Sequence, residues 1–189
     1  MRVIAGSARG RRLEAVAGRS VRPTADRVKE ALFSMLFSRA SFAGAAWLDL
    51  FAGSGGLGIE ALSRGAAAVT FAEQDRDARL VLARNLEQCG FAARATVMAL
   101  PVQRVLGDLA KRDGRFDGAL LDPPYGQGLA AETLSSLGSG SLLVAGAWVA
   151  AEHHADDKLA ETYGGLQLTA SRRYGSTALT LYQQSDGAQ

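Results

Sequence analysis

Asp49-Leu50-Phe51-Ala52-Gly53-Ser54-Gly55-Gly56-Leu57-Gly58 begins within the short apolar run 47–51 and carries it into a glycine-rich loop. Glycines 53, 55 and 58 satisfy G-x-G-x-x-G, and Glu73 lies twenty residues beyond Gly53, at the end of the next apolar run, 68–73. A strand, a glycine turn, a helix and a second strand ending in an acid form the opening of a parallel α/β sheet that binds a nucleoside across the turn. The glycines let backbone N–H groups approach a ligand, and the Glu73 carboxylate can accept from ribose hydroxyls. A dinucleotide would set its pyrophosphate over the helix N-terminus. S-adenosylmethionine would set its methionine portion there, and Asp49 would supply negative charge to its ammonium and sulfonium. Asp49 is an odd neighbour for a pyrophosphate, so the loop favours S-adenosylmethionine.

The alternation of short apolar runs with helical periodicity continues outward from this loop and predicts repeated βα units. Strands are expected over 47–51, 68–73, 94–98, 116–121 and 148–152, with a hairpin of 166–173 and 177–183 around Tyr174-Gly175-Ser176. The expected architecture is an α/β Rossmann-like sheet of seven strands, mostly parallel, with helices on both faces and one antiparallel strand near an edge. Helices are expected over 57–64, from a cap at Asp75 to about residue 88 with Leu80, Leu82 and Leu86 facing inward, from Pro101 toward Lys111, and over 129–137. Residues 1–40 read as a small N-terminal extension, with 2–5 and 13–16 pairing across a turn and a helix over 24–37, before a main domain over 41–189.

The tetrapeptide Asp122-Pro123-Pro124-Tyr125 ends the fourth predicted strand and points to a reaction. An exocyclic base nitrogen has its lone pair delocalised into the ring, so acceptors on its N–H bonds must enrich it while a methyl donor approaches. Asp122 supplies one acceptor. Two prolines carry no N–H and stop the strand, which leaves the Pro123 carbonyl to act as the second. The Tyr125 ring can stack on a base drawn out of its helix, a contact worth roughly 1 to 3 kcal/mol. The bland alternative is a strand-ending turn, since Asp and Pro are ordinary turn residues.

The 189 residues suffice for one ample core, and their composition, 48% hydrophobic and 21% charged, suits a globular chain. No apolar stretch approaches the roughly 20 residues of a membrane span. The first twelve residues hold four arginines and no apolar segment, which predicts no secretory signal. Cys89 is the single cysteine, so no internal disulfide can form; it reads as a buried thiol, and the chain as cytoplasmic. Charge is unevenly spread: residues 1–40 carry nine basic and three acidic side chains, whereas the rest carries twelve basic and sixteen acidic. A basic arm on a mildly acidic body is the footprint of a phosphate-binding surface. Arg2, Arg9, Arg11, Arg12, Arg22 and Arg27 are the candidate RNA contacts, and Arg172 and Arg173 can extend them. His153 and His154 have no cysteine nearby and predict no metal site, while Glu152 before them can face the same sheet edge.

With these motifs in place the chain resembles the class I S-adenosylmethionine-dependent methyltransferases, and within them the RsmD-type guanine-N2 methyltransferases of bacterial small-subunit ribosomal RNA. The resemblance rests on Arg2-Val3-Ile4-Ala5-Gly6 with Arg9-Gly10-Arg11, on Arg22-Pro23-Thr24 with Asp26-Arg27-Val28-Lys29-Glu30, on Phe51-Ala52-Gly53-Ser54-Gly55, on Glu60-Ala61-Leu62-Ser63-Arg64-Gly65, and on Glu73 and Asp122-Pro123-Pro124-Tyr125. It implies that Asp49, Phe51, Ala52, Gly53, Ser54, Gly55, Glu73, Gln74 and Leu100 line a cofactor pocket, and that Asp122, Pro123, Pro124 and Tyr125 hold a target guanine of 16S rRNA within a small-subunit assembly particle. The chain is expected to act as a monomer that needs neither metal nor membrane. One departure stands out: where such enzymes often carry an Asp or Asn for the adenine amino group, this chain has Ala99-Leu100-Pro101, and Leu100 can pack on adenine without hydrogen-bonding it. An adenine-N6 methyltransferase shares both motifs, a nicotinamide-dependent oxidoreductase shares the glycine loop alone, and a noncatalytic RNA-binding protein could keep the basic arm.

Overall fold

The computed structural model describes residues 1–16 and 25–186. Helix α1 spans Ala25–Phe37, and the alternation that follows is β1 Ala46–Leu50, α2 Gly56–Ser63, β2 Ala68–Ala72, α3 Arg76–Cys89, β3 Ala95–Met98, α4 Val102–Ala110, β4 Phe116–Leu121, α5 Leu129–Ser139 and β5 Leu143–His154. Three further strands, β6 Thr162–Tyr163, β7 Leu166–Tyr174 and β8 Thr177–Gln184, complete one sheet of order β3-β2-β1-β4-β5-β8-β7-β6. β1 to β5 pair in parallel, and β8 inserts antiparallel between β5 and β7. The sheet thus has eight strands among the described residues rather than the expected seven. The extra one, β6, is a two-residue strand paired with β7, too short to leave an alternation in the sequence. β5 is also longer than the expected 148–152, and it takes His153 and His154 into its pairing with β8.

Side-chain alternation along the strands divides the core. Trp47, Val69, Phe71, Leu120, Trp148 and Ala150 face α1, α2, α3 and the N-terminal arm, whereas Leu48, Leu50, Ala72, Leu121, Val149 and Ala151 face α4 and α5. In α3 the buried stripe is Ala78, Val81, Leu82, Asn85, Leu86 and Cys89. Leu80, expected inside, is 50% exposed because it falls between the i, i+3 and i+4 positions of that stripe. Asp75 caps α3 by accepting from the Ala78 N–H at 2.7 Å, and Gly90 closes it in a left-handed conformation.

The arm pairs with a register different from the expected one: Arg2 bridges Arg12, with Val3 N–H donating to Arg11 O at 2.9 Å and Leu13 N–H to Met1 O at 2.9 Å. Two side chains of α2 hold it. The fully buried Glu60 accepts from the backbone N–H groups of Ile4 at 2.8 Å and Ala5 at 3.0 Å, from Arg64 Nε at 2.9 Å, and pairs with Lys29 Nζ at 3.5 Å. Ser63 Oγ donates to Ala5 O at 2.6 Å and accepts from the Ala8 N–H at 2.9 Å. The segment Glu60-Ala61-Leu62-Ser63-Arg64 is therefore the socket of the arm. Lys29, counted above among the basic charges of the arm, belongs to this buried cluster, and burial pushes its ammonium pKa down against the pull of Glu60. Removing one partner of a buried pair strands the other, so Glu60→Ala should cost about 3 to 5 kcal/mol in chemical denaturation. The double variant Glu60→Leu with Lys29→Met should lose less than that single variant.

Candidate active site

A cavity of about 830 Å³ opens along the carboxyl ends of β1, β2, β4 and β5. The loop after β1 forms one wall. Phe51 leaves the strand with φ 72°, a left-handed conformation uncommon for a bulky residue, and so turns the chain sharply into Ala52-Gly53-Ser54. Gly53 N–H donates to Glu73 Oε2 at 2.7 Å, and Asp75 N–H donates to Glu73 Oε1 at 2.8 Å, so two backbone donors fix the carboxylate at the end of β2. Gly58 lies behind the loop. A Cβ there would meet Phe71 at 2.3 Å and Asp49 Oδ2 at 2.9 Å, so the glycine is what lets α2 seat against the sheet.

Asp49 accepts from the Gly58 N–H at 2.7 Å and is 1% exposed. Burial pushes its carboxyl up to about 7; the Glu73 carboxylate adds to the rise and the Gly58 hydrogen bond opposes it. A buried carboxylate without a cationic partner is costly, and a cationic ligand would offset that cost. Among the expected cofactor residues, Asp49, Phe51, Ala52, Gly53, Ser54, Glu73, Gln74 and Leu100 all line the cavity. Gly55 does not. It starts α2 with φ 87°, and its missing Cβ faces Leu82 at 2.4 Å, so it serves helix packing rather than the cavity wall.

The opposite wall is Asp122, Pro123, Pro124 and Tyr125 at the end of β4. Tyr125 is held by groups that lie far away in sequence: its hydroxyl donates to Glu152 Oε1 at 3.0 Å and sits 3.1 Å from Thr177 Oγ1, and its ring meets His154 edge-on at 5.7 Å. Burial, with nearby Glu152 and Asp122, pushes the phenol up to about 12, so Tyr125 remains a hydrogen-bond donor and a flat surface rather than a base. His153 does not reach this wall. It is buried on the other side of β5, where Nε2 lies 2.8 Å from Thr180 Oγ1 and Nδ1 2.9 Å from His154 O. Among the described residues no group of three His, Cys, Asp or Glu could hold a metal ion.

The donor set fits S-adenosylmethionine in its chemistry. Two lining acids, Asp49 and Glu73, would offer acceptors to a cation and to ribose hydroxyls, and Leu100, Pro101 and Val102 an apolar surface to a flat base.

The cavity also takes residues that were not among the expected cofactor or base contacts. Met1, Ala15, Val16, Val28 and Lys29 close it from the arm, and Gln127, Leu129, Glu132 and Thr133 from the start of α5. Asn85 of α3, fully buried, ties arm to loop: it accepts from the Glu14 N–H at 2.8 Å and donates to Glu14 O at 3.0 Å and to Ser54 O at 2.9 Å. A polar residue in phase with Val81, Leu82 and Leu86 was its one sequence signal. Of the candidate RNA contacts, Arg2, Arg9, Arg11, Arg12 and Arg27 are exposed, and Arg11 donates to the Gln88 carbonyl at the end of α3. Arg22 lies outside the described residues, as do Pro23 and Thr24.

Known proteins are similar to this chain over nearly its whole length. Residues 1–183 match the family described as "Conserved hypothetical protein 95". YlbH of Bacillus subtilis is 42% identical over 97% of this chain and 99% of its own length. Ribosomal RNA small subunit methyltransferase D of Escherichia coli is 35% identical over 97% of this chain and 90% of its own. A solved structure of yhhF from Escherichia coli superposes with TM-score 0.82 at 34% identity, covering 98% of both chains. The chain belongs to this family, the RsmD-type methyltransferases of the class I S-adenosylmethionine-dependent superfamily.

Proposed function

We propose that this chain methylates the exocyclic N2 of one guanine in small-subunit ribosomal RNA, using S-adenosylmethionine. The observation that carries the reading is that one cavity is lined both by the Asp49 to Ser54 loop and by Asp122 to Tyr125. Asp49 takes the cationic end of the cofactor, Glu73 the ribose hydroxyls, and Leu100 packs on the adenine. When bound, S-adenosylmethionine supplies a sulfonium methyl, whose transfer forms the N–C bond, breaks the S–C bond and releases one proton. Asp122 and the Pro123 carbonyl accept from the N2 amino group and orient its nitrogen, and Tyr125 stacks on the base plane. Asp122 is also the acceptor for the proton that leaves, since nitrogen becomes acidic only as it gains the methyl. The contribution of the protein is alignment and acceptor placement.

Residues 1–40 act as the RNA-facing extension, in which Arg2, Arg9, Arg11, Arg12, Arg22 and Arg27 meet phosphates, and 41–189 act as the catalytic domain. The enzyme works as a cytoplasmic monomer on an assembly particle of the small subunit. The direct test is methyl transfer from labelled S-adenosylmethionine to small subunits, and to their RNA, from cells lacking this gene, followed by nucleoside analysis. One labelled N2-methylguanosine is the expected product, and label in N6-methyladenosine would overturn the base assignment.

The Asp49 carboxyl sets a pH dependence. Its folded pKa, about 7, lies above the unfolded value near 3.8, so the free protein loses stability from this group as pH rises toward and through 7. A cationic ligand favours the ionised form. Affinity for S-adenosylmethionine should therefore climb with pH up to about 7 and level off above it, and Asp49→Asn should bind more weakly with a flat profile; calorimetric titration across that range measures both.

A further inference from the structure

β4 and β5 are neighbouring parallel strands whose register pairs Leu121 with Ala151. Asp122, the first residue past the end of β4, and Glu152, the next residue of β5, follow that last pair at the same carboxyl edge of the sheet. Glu152 continues the alternation of Trp148 and Ala150, which face the arm side of the sheet, and both carboxylates line the cavity. Tyr125 bridges the two positions: it follows Asp122 by three residues, and its hydroxyl donates to Glu152. Glu152 is half-buried, whereas Glu132, the other carboxylate near this wall, is exposed on α5.

The Watson–Crick edge of guanine carries two adjacent donor groups, N1–H and the N2 amino group. The edge of adenine carries an amino group beside the N1 lone pair. Acceptors at Asp122 and the Pro123 carbonyl answer an amino group on either base, so they do not by themselves tell guanine from adenine. A second carboxylate alongside does, because it accepts from guanine N1–H and repels the adenine N1 lone pair, leaving a polar pair unmatched. A carboxylate offers about four lone-pair sites, so accepting from Tyr125 is compatible with accepting from a base.

We infer that Glu152 is a specificity-determining residue, reading the guanine N1–H while Asp122 and the Pro123 carbonyl hold the N2 amino group. The inference rests on the guanine-N2 reading above and adds the group that selects the base. It also gives the Tyr125–Glu152 hydrogen bond a purpose: the stacking ring and the reading carboxylate hold each other in place, with Thr177 as the second tether of the ring.

The test uses small-subunit particles assembled with RNA that carries either guanine or 2-aminopurine at the methylated position. 2-Aminopurine keeps the N2 amino group and has a lone pair at N1 in place of N1–H. Wild-type enzyme should prefer guanine by about tenfold or more in kcat/KM, the scale of one charge-assisted hydrogen bond. Glu152→Gln should carry that ratio toward one, because the amide can donate to the N1 lone pair while its oxygen still accepts from Tyr125. Thr177→Val removes one tether of the ring and keeps both the Glu152 carboxylate and its hydrogen bond from Tyr125, and should slow both substrates with the ratio kept. A Glu152→Gln variant that slows both substrates equally, or that keeps the wild-type ratio, overturns the assignment while leaving the proposed function standing. Absence of N2 methylation of guanine by the wild-type protein overturns both.

Discussion

Everything functional in this molecule depends on the pairing of β1 with β4, in which Leu50 lies level with Leu121. The strand order β3-β2-β1-β4-β5 reverses direction there, so the connection leaving β1 crosses to one side and that leaving β4 to the other. A crevice must open between two connections that diverge from adjacent strand ends, which is why ligands in open α/β sheets bind at such a point. The Asp49 to Ser54 loop and the Asp122 to Tyr125 turn are about 70 residues apart in the chain and one strand apart in space. The paired strands are buried on both faces, so the distance between the two walls is held by the core rather than by the loops.

The arm depends on that frame in turn. Residues 1–16 carry the bridge between Arg2 and Arg12 and take their shape from the Glu60 and Ser63 side chains of α2 and from Asn85 of α3. These anchors are polar and buried, which specifies one position for the arm where an apolar contact would tolerate several. Glu60 sits on the helix that begins at the glycine loop, and Asn85 touches that loop at Ser54. The segment that carries the basic side chains is thus fixed to the same elements that shape the Asp49 to Ser54 wall, and residues 1, 15 and 16 line the cavity itself.

Much of this could be read in the chain because it rests on local rules. Parallel strands buried on both faces leave continuous apolar runs, and the runs at 47–51, 68–73 and 116–121 fall on β1, β2 and β4. The glycine spacing and the paired prolines speak for backbone geometry within a few residues. What escaped was set by tertiary contact. Leu80 has a core side chain, yet the phase of α3 turns it outward; Asn85 is polar and lies in the buried stripe. Thr177 reaches Tyr125 only because β8 returns beside β5. Gly55 belongs to the glycine motif but turns toward Leu82, since the fingerprint mixes residues that face the ligand with residues that let the helix pack. β6 has two residues and no pattern to read.

If the crevice between β1 and β4 truly holds two separate half-sites, one wall can be damaged without harming the other. Calorimetric titration of S-adenosylhomocysteine into the wild-type protein, Asp49→Ala and Asp122→Ala measures this directly. The account predicts that Asp49→Ala loses most of its affinity, while Asp122→Ala binds as the wild type does and fails to methylate. Equal loss of affinity in both variants, or none in Asp49→Ala, would contradict it.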